Sequence, residues 1–267
     1  MWLSYKKNKF DGNLGVANAY FASGKTDKAY QAVYKTLDIF KNQNDAMNFL
    51  QKLNENYTPF IEEKLTYSFD NGNNKAYASN TQITLPVSLK LAFNAAYLYR
   101  KTENEISKVN AITNDFVLGF TYKLKPKTQF AFMGGVTSVS AINQGYSQFL
   151  AHTFFKLKPL KLQDLEIGYK REIQNFNAAL VDKQIVTNNF YLNNNQGTNF
   201  NLGWFTQYYY TTQSDQNTRH LLFTSLYYNL LAKPVLKTGL NYQFITFKNQ
   251  VPNDYFSPKK FNAFEVF

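Results

Sequence analysis

An alternation of apolar and polar residues dominates the sequence from Thr58 to its end. The clearest example is the segment 82–101, QITLPVSLKLAFNAAYLYRK, in which apolar side chains occupy nine successive alternate positions. Comparable runs cover residues 65–69, 116–124, 165–169, 202–210 and 236–244. In an extended chain alternate side chains share one face, so each run has one apolar and one polar face. The pattern predicts a mainly β fold.

The apolar faces could meet either lipid or the apolar face of a second sheet. A helical membrane protein is excluded, because no run approaches the roughly 18 consecutive apolar residues that a membrane helix needs. The mean hydropathy of −0.42 is compatible with a transmembrane barrel, since its strands are apolar only at alternate positions. A transmembrane barrel and a soluble sandwich with aromatic residues between its sheets therefore both remain.

The connections between the runs favour the barrel. Short turns built on proline alternate with longer segments rich in Asn, Asp, Gly and Ser, such as FDNGNNKAYA and KTENEISKVN. The prolines of the short turns are Pro86, Pro126, Pro159 and Pro234. Short turns at one end and long loops at the other are typical of outer-membrane barrels. With one more turn near Asn195, the sequence predicts an antiparallel transmembrane β-barrel of twelve strands over residues 58–267.

The barrel assigns a role to each face of the strands. The apolar face would meet lipid, and the tyrosines near strand ends would form an aromatic girdle at the headgroups. These girdle residues are Tyr97, Tyr99, Tyr122, Tyr169, Tyr208, Tyr210 and Tyr242. The polar face would line a water-filled lumen. The predicted pore-lining residues are Lys90, Asn94, Arg100, Lys123, Lys170, Tyr191, Asn201, Gln207, Tyr209, Tyr227, Lys237 and Asn241.

Glycines also recur within the predicted strands. On the polar face they either leave space in the pore or ease the bending of the strands, and both interpretations stay open. These glycines are Gly119, Gly168, Gly203 and Gly239. The adjacent Gly134 and Gly135 predict a β-bulge or a bend.

Residues 11 to about 55 have a helical period instead. Stripes of small and apolar side chains appear before and after Gly24, and Thr26 or Asp27 is expected to cap the second helix. Asp45 is expected to cap the third, which begins at Ala46. The stripe residues are Val16, Ala17 and Tyr20, then Ala29, Ala32, Val33 and Leu37. The sequence thus predicts a helical domain over residues 1–57.

The spacing of Ala17, Tyr20, Gly24 and Ala29 resembles a tetratricopeptide repeat. A single repeat cannot bury both of its faces, so it is expected to stack on further repeats or on a partner protein. A helical repeat that leads into a barrel resembles the outer-membrane exporters of cellulose and poly-N-acetylglucosamine. The stretch Tyr255–Pro258, YFSP, is similar to one in the cellulose exporter. The resemblance implies periplasmic repeats and a pore through the outer membrane for the growing glycan.

The sequence departs from that family at both ends. It has about one repeat where the family has many, and twelve predicted strands where the family has sixteen. Glu265 also lies two residues before Phe267, at a position where a barrel assembly signal is normally apolar. We therefore expect a fragment of a sixteen-stranded barrel protein, truncated at both ends, with a complete twelve-stranded barrel as the alternative.

The net charge of +11, from 29 Lys and Arg against 18 Asp and Glu, suggests an anionic partner. A basic surface without such a partner is the alternative. Lys123, Lys125 and Lys127 cluster at a predicted periplasmic turn, where they could contact lipid headgroups or a protein. The predicted partners are membrane lipid, a neutral or anionic polysaccharide, and a periplasmic protein that binds the helical repeat, but not nucleic acid.

Little in the sequence indicates an enzyme. There is no cysteine, and neither His152 nor His220 has a nearby serine and acid that suggest a triad. Glu166 and Glu172 are too far apart along one strand to act as paired glycosidase carboxylates. No phosphate loop, metal-binding spacing or dinucleotide fingerprint occurs. We therefore predict a protein that is not an enzyme and has no metal or cofactor.

Three functions follow from these features. The first is a bacterial outer-membrane pore that exports an exopolysaccharide, with the helical repeat as a periplasmic scaffold. The second is a barrel that anchors or assembles a periplasmic partner without transport. The third is an outer-membrane hydrolase that assembles a triad across its strands.

Overall fold

The computed structural model describes residues 10–55, 57–231, 233, 236–252 and 254–267. The first nine residues and residue 56 of the predicted helical domain, and the predicted turn at Pro234, lie outside the described residues. Three helices come first and are followed by a sheet of twelve strands. In the described part of the chain no helix has the length and apolar character needed to cross a membrane.

The three N-terminal helices are α1 (Phe10–Ala22), α2 (Thr26–Ile39) and α3 (Asn44–Glu55). They pack around one small core, because the apolar stripes that the sequence predicts on α1 and α2 face each other and α3. The buried residues of this core are Ala17, Ala29, Val33, Ala46, Phe49 and Leu53. The helices predicted over this region are therefore present, and the resemblance to a tetratricopeptide repeat remains a prediction.

The ends of these helices differ from the prediction. Gly24 adopts a φ of 76°, which lets the chain leave α1 in a left-handed turn that closes with a hydrogen bond from Lys25 N to Tyr20 O. Among the described residues no side chain caps α2, so the prediction of Thr26 or Asp27 as its cap is wrong. The cap of α3 is Gln43, whose Oε1 accepts from Ala46 N at 2.9 Å. The prediction of Asp45 as the cap is wrong because the chain enters the helix earlier, at Asn44.

The sheet has the simplest possible order, since each strand pairs antiparallel with its neighbours in the chain. The strands are β1 (Phe60–Phe69), β2 (Asn74–Pro86), β3 (Leu91–Asn104), β4 (Asn110–Lys125), β5 (Thr128–Ser140), β6 (Gly145–Leu157), β7 (Gln163–Ile173), β8 (Val186–Gly197), β9 (Leu202–Gln213), β10 (Thr218–Leu231), β11 (Leu236–Phe247) and β12 (Phe261–Val266). The predicted number of twelve is confirmed. Among the described residues β1 pairs only with β2, and β12 pairs only with β11. The sheet therefore has two free edges and is open.

The turns at residues 87–90, 126–127, 158–162 and 198–201 lie at one end of the sheet, which we call the proline-turn end. The opposite end carries the segments that were predicted to be long loops. Only two of them are long, because the strands run on into the polar sequence and leave loops of four or five residues elsewhere. The two long loops are residues 174–185 and 248–260.

The first of these long loops contains a fourth helix, α4 (Ala178–Asp182). Asn177 caps it by accepting a hydrogen bond from Leu180 N at 2.8 Å. The alternation that dominates the sequence after Thr58 did not indicate this helix. The helix is one turn long, which is too short to show a period in the sequence, and it depends on contacts with the sheet. We call this end of the sheet the α4 end.

The register divides the sheet into two faces, because residues paired directly across strands point the same way. One face, the polar face, carries the row Thr84, Asn94, Gly119, Met133, His152, Lys170, Asn189, Thr211, Arg219 and Phe247. The other, the apolar face, carries the neighbouring row Phe93, Phe120, Phe132, Thr153, Tyr169, Phe190, Tyr210, His220 and Thr246. The polar face is concave, since residues from β2 to β7 line one cavity of 210 Å³ on it.

The bulge predicted at Gly134 and Gly135 is absent, because β4 and β5 stay in register there. Gly135 instead allows the two strands to approach closely. A Cβ atom at this position would lie 2.1 Å from the backbone oxygen of Phe116. A Cβ atom at Gly134 would have no neighbour closer than 3.5 Å.

Candidate functional site on the polar face

The polar face brings together most of the predicted pore-lining residues. Ten lie in strands on this face: Asn94, Arg100, Lys123, Lys170, Tyr191, Gln207, Tyr209, Tyr227, Lys237 and Asn241. Lys90 and Asn201 lie in turns at the proline-turn end. The register therefore places these residues on one surface, whereas the water-filled pore that they were predicted to line remains a prediction.

The seven predicted girdle tyrosines all fall on the apolar face. Large side chains on this face are exposed across consecutive strands. Phe116, Val136 and Phe149 are direct neighbours on β4, β5 and β6, with exposed fractions of 51%, 54% and 54%. A continuous exposed apolar surface of this kind is unfavourable in water. This exposed surface favours the prediction that the apolar face contacts lipid.

A hydrogen-bonded group of three side chains lies in the middle of the polar face. The hydroxyl of Tyr191 donates to Glu166 Oε1 at 2.9 Å, and it lies 2.8 Å from His152 Nε2. Because a hydroxyl has one proton, this arrangement has His152 Nε2 donating to Tyr191. Lys156 Nζ lies 3.3 Å from the second oxygen of Glu166. The ring of Tyr191 also stacks on Tyr209.

Two glycines make room for tyrosine rings on the polar face. A Cβ atom at Gly168 would lie 2.6 Å from the ring of Tyr191, and one at Gly203 would lie 2.1 Å from the ring of Tyr227. Each glycine is paired directly with the tyrosine on the next strand. These two glycines therefore provide space for a neighbouring side chain, and the tyrosine rings lie flat along the polar face.

A second polar network spans β7 to β10, nearer the α4 end. Lys170 Nζ pairs with Glu172 Oε2 at 2.5 Å, and Asn189 Nδ2 donates to Glu172 Oε1 at 3.1 Å. Thr211 Oγ1 donates to Asn189 Oδ1 at 2.7 Å and accepts from Arg219 Nη2 at 3.1 Å. Most polar groups of this network are thus satisfied by one another, whereas the buried Nε of Arg219 has no hydrogen-bond partner among the described residues.

Helix α4 covers the polar face at its own end of the sheet. Val181 is fully buried, and Tyr146 Oη donates to its backbone oxygen at 2.6 Å. Arg100 Nε donates to Asn175 O at 3.1 Å, so this predicted pore-lining residue binds the loop that leads into the helix. We call α4 with its buried apolar neighbours the α4 plug. The neighbours are Ala111, Val139, Ile173 and Val186.

The loop 248–260 packs beside the plug and contains the YFSP stretch. Tyr255 Oη lies 2.7 Å from Asp215 Oδ2 and accepts from Asn217 Nδ2 at 2.9 Å. Ser257 Oγ accepts from Val251 N at 2.7 Å. An ion pair between Lys183 and Asp254 joins this loop to the end of the plug. Tyr255 and Ser257 of the stretch therefore hold the loop in place at the α4 end through hydrogen bonds.

The proline-turn end contains the larger cavity, of 740 Å³. It lies between the turn that joins α1 to α2 and the ends of the strands from β4 to β9. We call it the lysine vestibule. Its lysines are Lys25, Lys28, Lys90, Lys123, Lys125, Lys127, Lys156 and Lys158. The sequence showed part of this cluster at one turn but not that the helices add to it, because that contact joins segments about 100 residues apart.

The histidines have no serine partner in the part of the chain that the structure describes. His152 contacts Tyr191, and His220 on the apolar face lies 2.8 Å from Tyr208 Oη through Nδ1. The same residues contain no group of three or more acids and histidines that could hold a metal ion. The arrangement of the polar face is suited to binding hydroxyl-rich and charged ligands through many weak contacts.

No known protein-family model matches this chain, and no curated protein matches it at a significant level.

Proposed function

We propose that this chain forms part of the wall of a bacterial outer-membrane pore that exports an exopolysaccharide. The polar face would line the path of the glycan, and the N-terminal helices would stand in the periplasm at the proline-turn end. Amide and hydroxyl groups such as those of Asn94, Gln207 and Tyr227 match sugar hydroxyls, and stacked rings such as Tyr191 and Tyr209 offer flat surfaces to pyranose rings.

The observation that carries the proposal is the division of the sheet into two faces. Exposed rings and aliphatic side chains continue over the apolar face, while the concave polar face holds amides, hydroxyls and paired charges. Water on both sides would leave the apolar face without a partner, whereas lipid outside and water inside give each face a suitable medium.

The proposal also requires a closed barrel. The free edges of β1 and β12 expose backbone N–H and C=O groups, which cost several kcal/mol each when they are unpaired in hydrocarbon. We therefore propose that these edges are paired in the membrane, either with each other or with further strands.

Deletion of the gene in the source organism tests the function. Loss of surface polysaccharide, with normal levels of other outer-membrane proteins, is the expected result. Intact surface polysaccharide would contradict the export function. Changed lipid turnover instead would favour a hydrolase. Fractionation of the envelope provides the control, since the proposal requires the protein in the outer membrane.

The α4 plug favours a second candidate. Because the plug covers the polar face at one end, the barrel could act as an anchor or assembly factor for a periplasmic partner that binds the helices, without transport. Deletion would then cause a defect in envelope assembly while the surface polysaccharide persists. Conductance measurements on the reconstituted protein separate the two candidates further, because only the pore requires an open state.

A further inference from the structure

The lysine vestibule concentrates positive charge. Its walls carry eight lysines and three carboxylates, so it accounts for five of the eleven net positive charges of the chain. Its volume of 740 Å³ lies in the range of about 300–1,000 Å³ that is usual for ligand sites. Like charges gathered in one cavity repel each other, and this repulsion is relieved when an anion binds.

Most of these lysines have no acidic partner. Lys158 pairs with Asp164 at 2.7 Å and Lys156 pairs with Glu166 at 3.3 Å. Within the described residues no carboxylate lies at ion-pair distance from the other six lysines. Lys123 Nζ instead lies 5.1 Å from the ring centroid of Tyr57, at the point where the helical domain meets the sheet. The ammonium groups are thus available to a ligand.

The positions of the lysines suit an extended ligand better than a single small anion. They come from the α1–α2 turn and the first turn of α2, and from three turns of the sheet with the adjoining strand ends, and so surround the cavity instead of meeting at one point. The cavity wall continues onto the polar face through Asn193 and Asn195, whose amides can bind hydroxyl groups. A chain with repeated anionic groups and hydroxyls would make both kinds of contact.

Lipid headgroups fit the vestibule less well. Lys123 and Lys156 lie on the concave polar face, directly across from Gln129 on β5, and therefore point away from the apolar face that would meet the bilayer. A headgroup of the surrounding membrane can approach lysines on the outer rim, but it cannot reach these two without leaving the bilayer.

We propose that the lysine vestibule binds an anionic polysaccharide, one that bears carboxylate groups along its chain, at the entrance to the polar face. The inference rests on the proposed export function and specifies the charge class of its substrate. The lysines would attract the chain and hold it through exchangeable ion pairs, each weak enough to allow the chain to move on.

Binding of oligogalacturonate to the purified, detergent-solubilised protein tests the proposal, with a neutral malto-oligosaccharide of equal length as the comparison ligand. The expected result is binding of the acidic chain alone, weakened by added salt. The variant Lys90→Gln/Lys123→Gln/Lys125→Gln should bind oligogalacturonate about tenfold more weakly, because three ion-pair contacts are lost. Unchanged β-sheet circular dichroism would show that this variant is folded.

The control variant is Lys248→Gln/Lys259→Gln/Lys260→Gln, which removes the same charge from the loop at the α4 end. Its affinity should equal that of the wild type. Equal weakening in both variants would overturn the proposal, as would equal binding of the neutral chain or no binding of the acidic one. A triple vestibule variant that lost binding to phosphatidylglycerol vesicles but kept oligogalacturonate binding would assign the lysines to lipid and also overturn it.

The two proposals fail in different ways. If deletion of the gene abolishes surface polysaccharide but oligogalacturonate does not bind, the export function stands and the anionic substrate is wrong. If oligogalacturonate binds at the vestibule but deletion leaves the surface polysaccharide intact, the site stands and the export function is wrong.

Discussion

The ring of Tyr191 stacks on the ring of Tyr209, with centroids 5.3 Å apart and an angle of 18° between the ring planes. The two residues are direct partners on β8 and β9, so the stack lies flat on the polar face. Their hydroxyl groups differ, however. Tyr191 Oη is engaged by both Glu166 and His152. Among the described residues the hydroxyl of Tyr209 has one long contact, at 3.4 Å from Gln207 Nε2. This difference provides a matched test.

We expect Tyr191→Phe to lower the free energy of unfolding by about 1–3 kcal/mol, because His152 and Glu166 each lose a hydrogen-bond partner in a part-buried site. Tyr209→Phe keeps the same ring and should cost less than about 1 kcal/mol. Chemical unfolding of both variants in detergent measures the difference. Equal losses in the two variants would show that the network around Tyr191 is not important for stability.

Adjacent glycines on β5 give a second matched pair. Gly135→Ala should destabilise the sheet by about 1–3 kcal/mol, since the new methyl group would overlap the backbone oxygen of Phe116 and force β4 and β5 apart. Gly134→Ala adds the same methyl group on the apolar face, where the nearest atom is 3.5 Å away, and should be nearly neutral. Thermal unfolding measured side by side checks this, and a larger effect at Gly134 would contradict the register of β5.

The α4 plug should open when a charge is placed in its core. Val181→Asp puts a carboxylate in a fully buried apolar cluster, which costs several kcal/mol and favours release of the helix from the polar face. Under the proposed function, single-channel conductance in planar bilayers should rise. Phe176→Asp is the control, because Phe176 is in the same loop and is 71% exposed. Conductance that is the same in both variants would argue against the plug as the barrier.

The loop 248–260 should become less stable in alkali. Burial raises the pKa of Tyr255, and its hydrogen bond to Asp215 raises the pKa further. A pKa that is higher in the folded state means that folding favours the protonated hydroxyl, so its contribution is complete below the unfolded pKa of about 10 and is lost as the pH rises above that value.

Proteolysis of this loop measured from neutral pH into the alkaline range checks the expectation. Cleavage of the wild type should accelerate above about pH 10. In Tyr255→Phe the loop should be cleaved faster at neutral pH, because the contacts to Asp215 and Asn217 are lost, but with a weaker dependence on pH. The comparison with Tyr255→Phe is needed because it separates the effect of this hydroxyl from other effects of alkali on the protein. Parallel pH profiles for the two proteins would exclude Tyr255 as the cause.

The sequence predicted the strands and their faces well, because both follow from a local period. The alternation around Phe93 and Asn94 is enough to place the first on the apolar face and the second on the polar face. The number of strands was predicted correctly from the alternation of short proline turns and longer polar segments. In contrast, most loops at the α4 end are shorter than predicted. The polar residues of segments such as Asn74–Ala78 pair within strands and do not form loops.

The missed features depend on contacts between distant segments. Nothing near Val181 in the sequence indicates that it belongs to one buried cluster with Val139. Nor can the position of Gly24 beside Pro126 be inferred from the sequence around either residue. The lysine vestibule and the network of Tyr191 arise in the same way, from side chains that the curvature of the sheet and the helical domain bring together.

The contact between α4 and the sheet also bears on the order of folding. Every strand pairs with its neighbour in the chain, so each hairpin can form by closing a short loop at small entropic cost. The hydrogen bond from Arg100 to Asn175 instead joins residues 75 positions apart. The entropic cost of closing this long loop becomes small only after β4 to β7 have paired. The plug should therefore dock late, onto strands that have already formed.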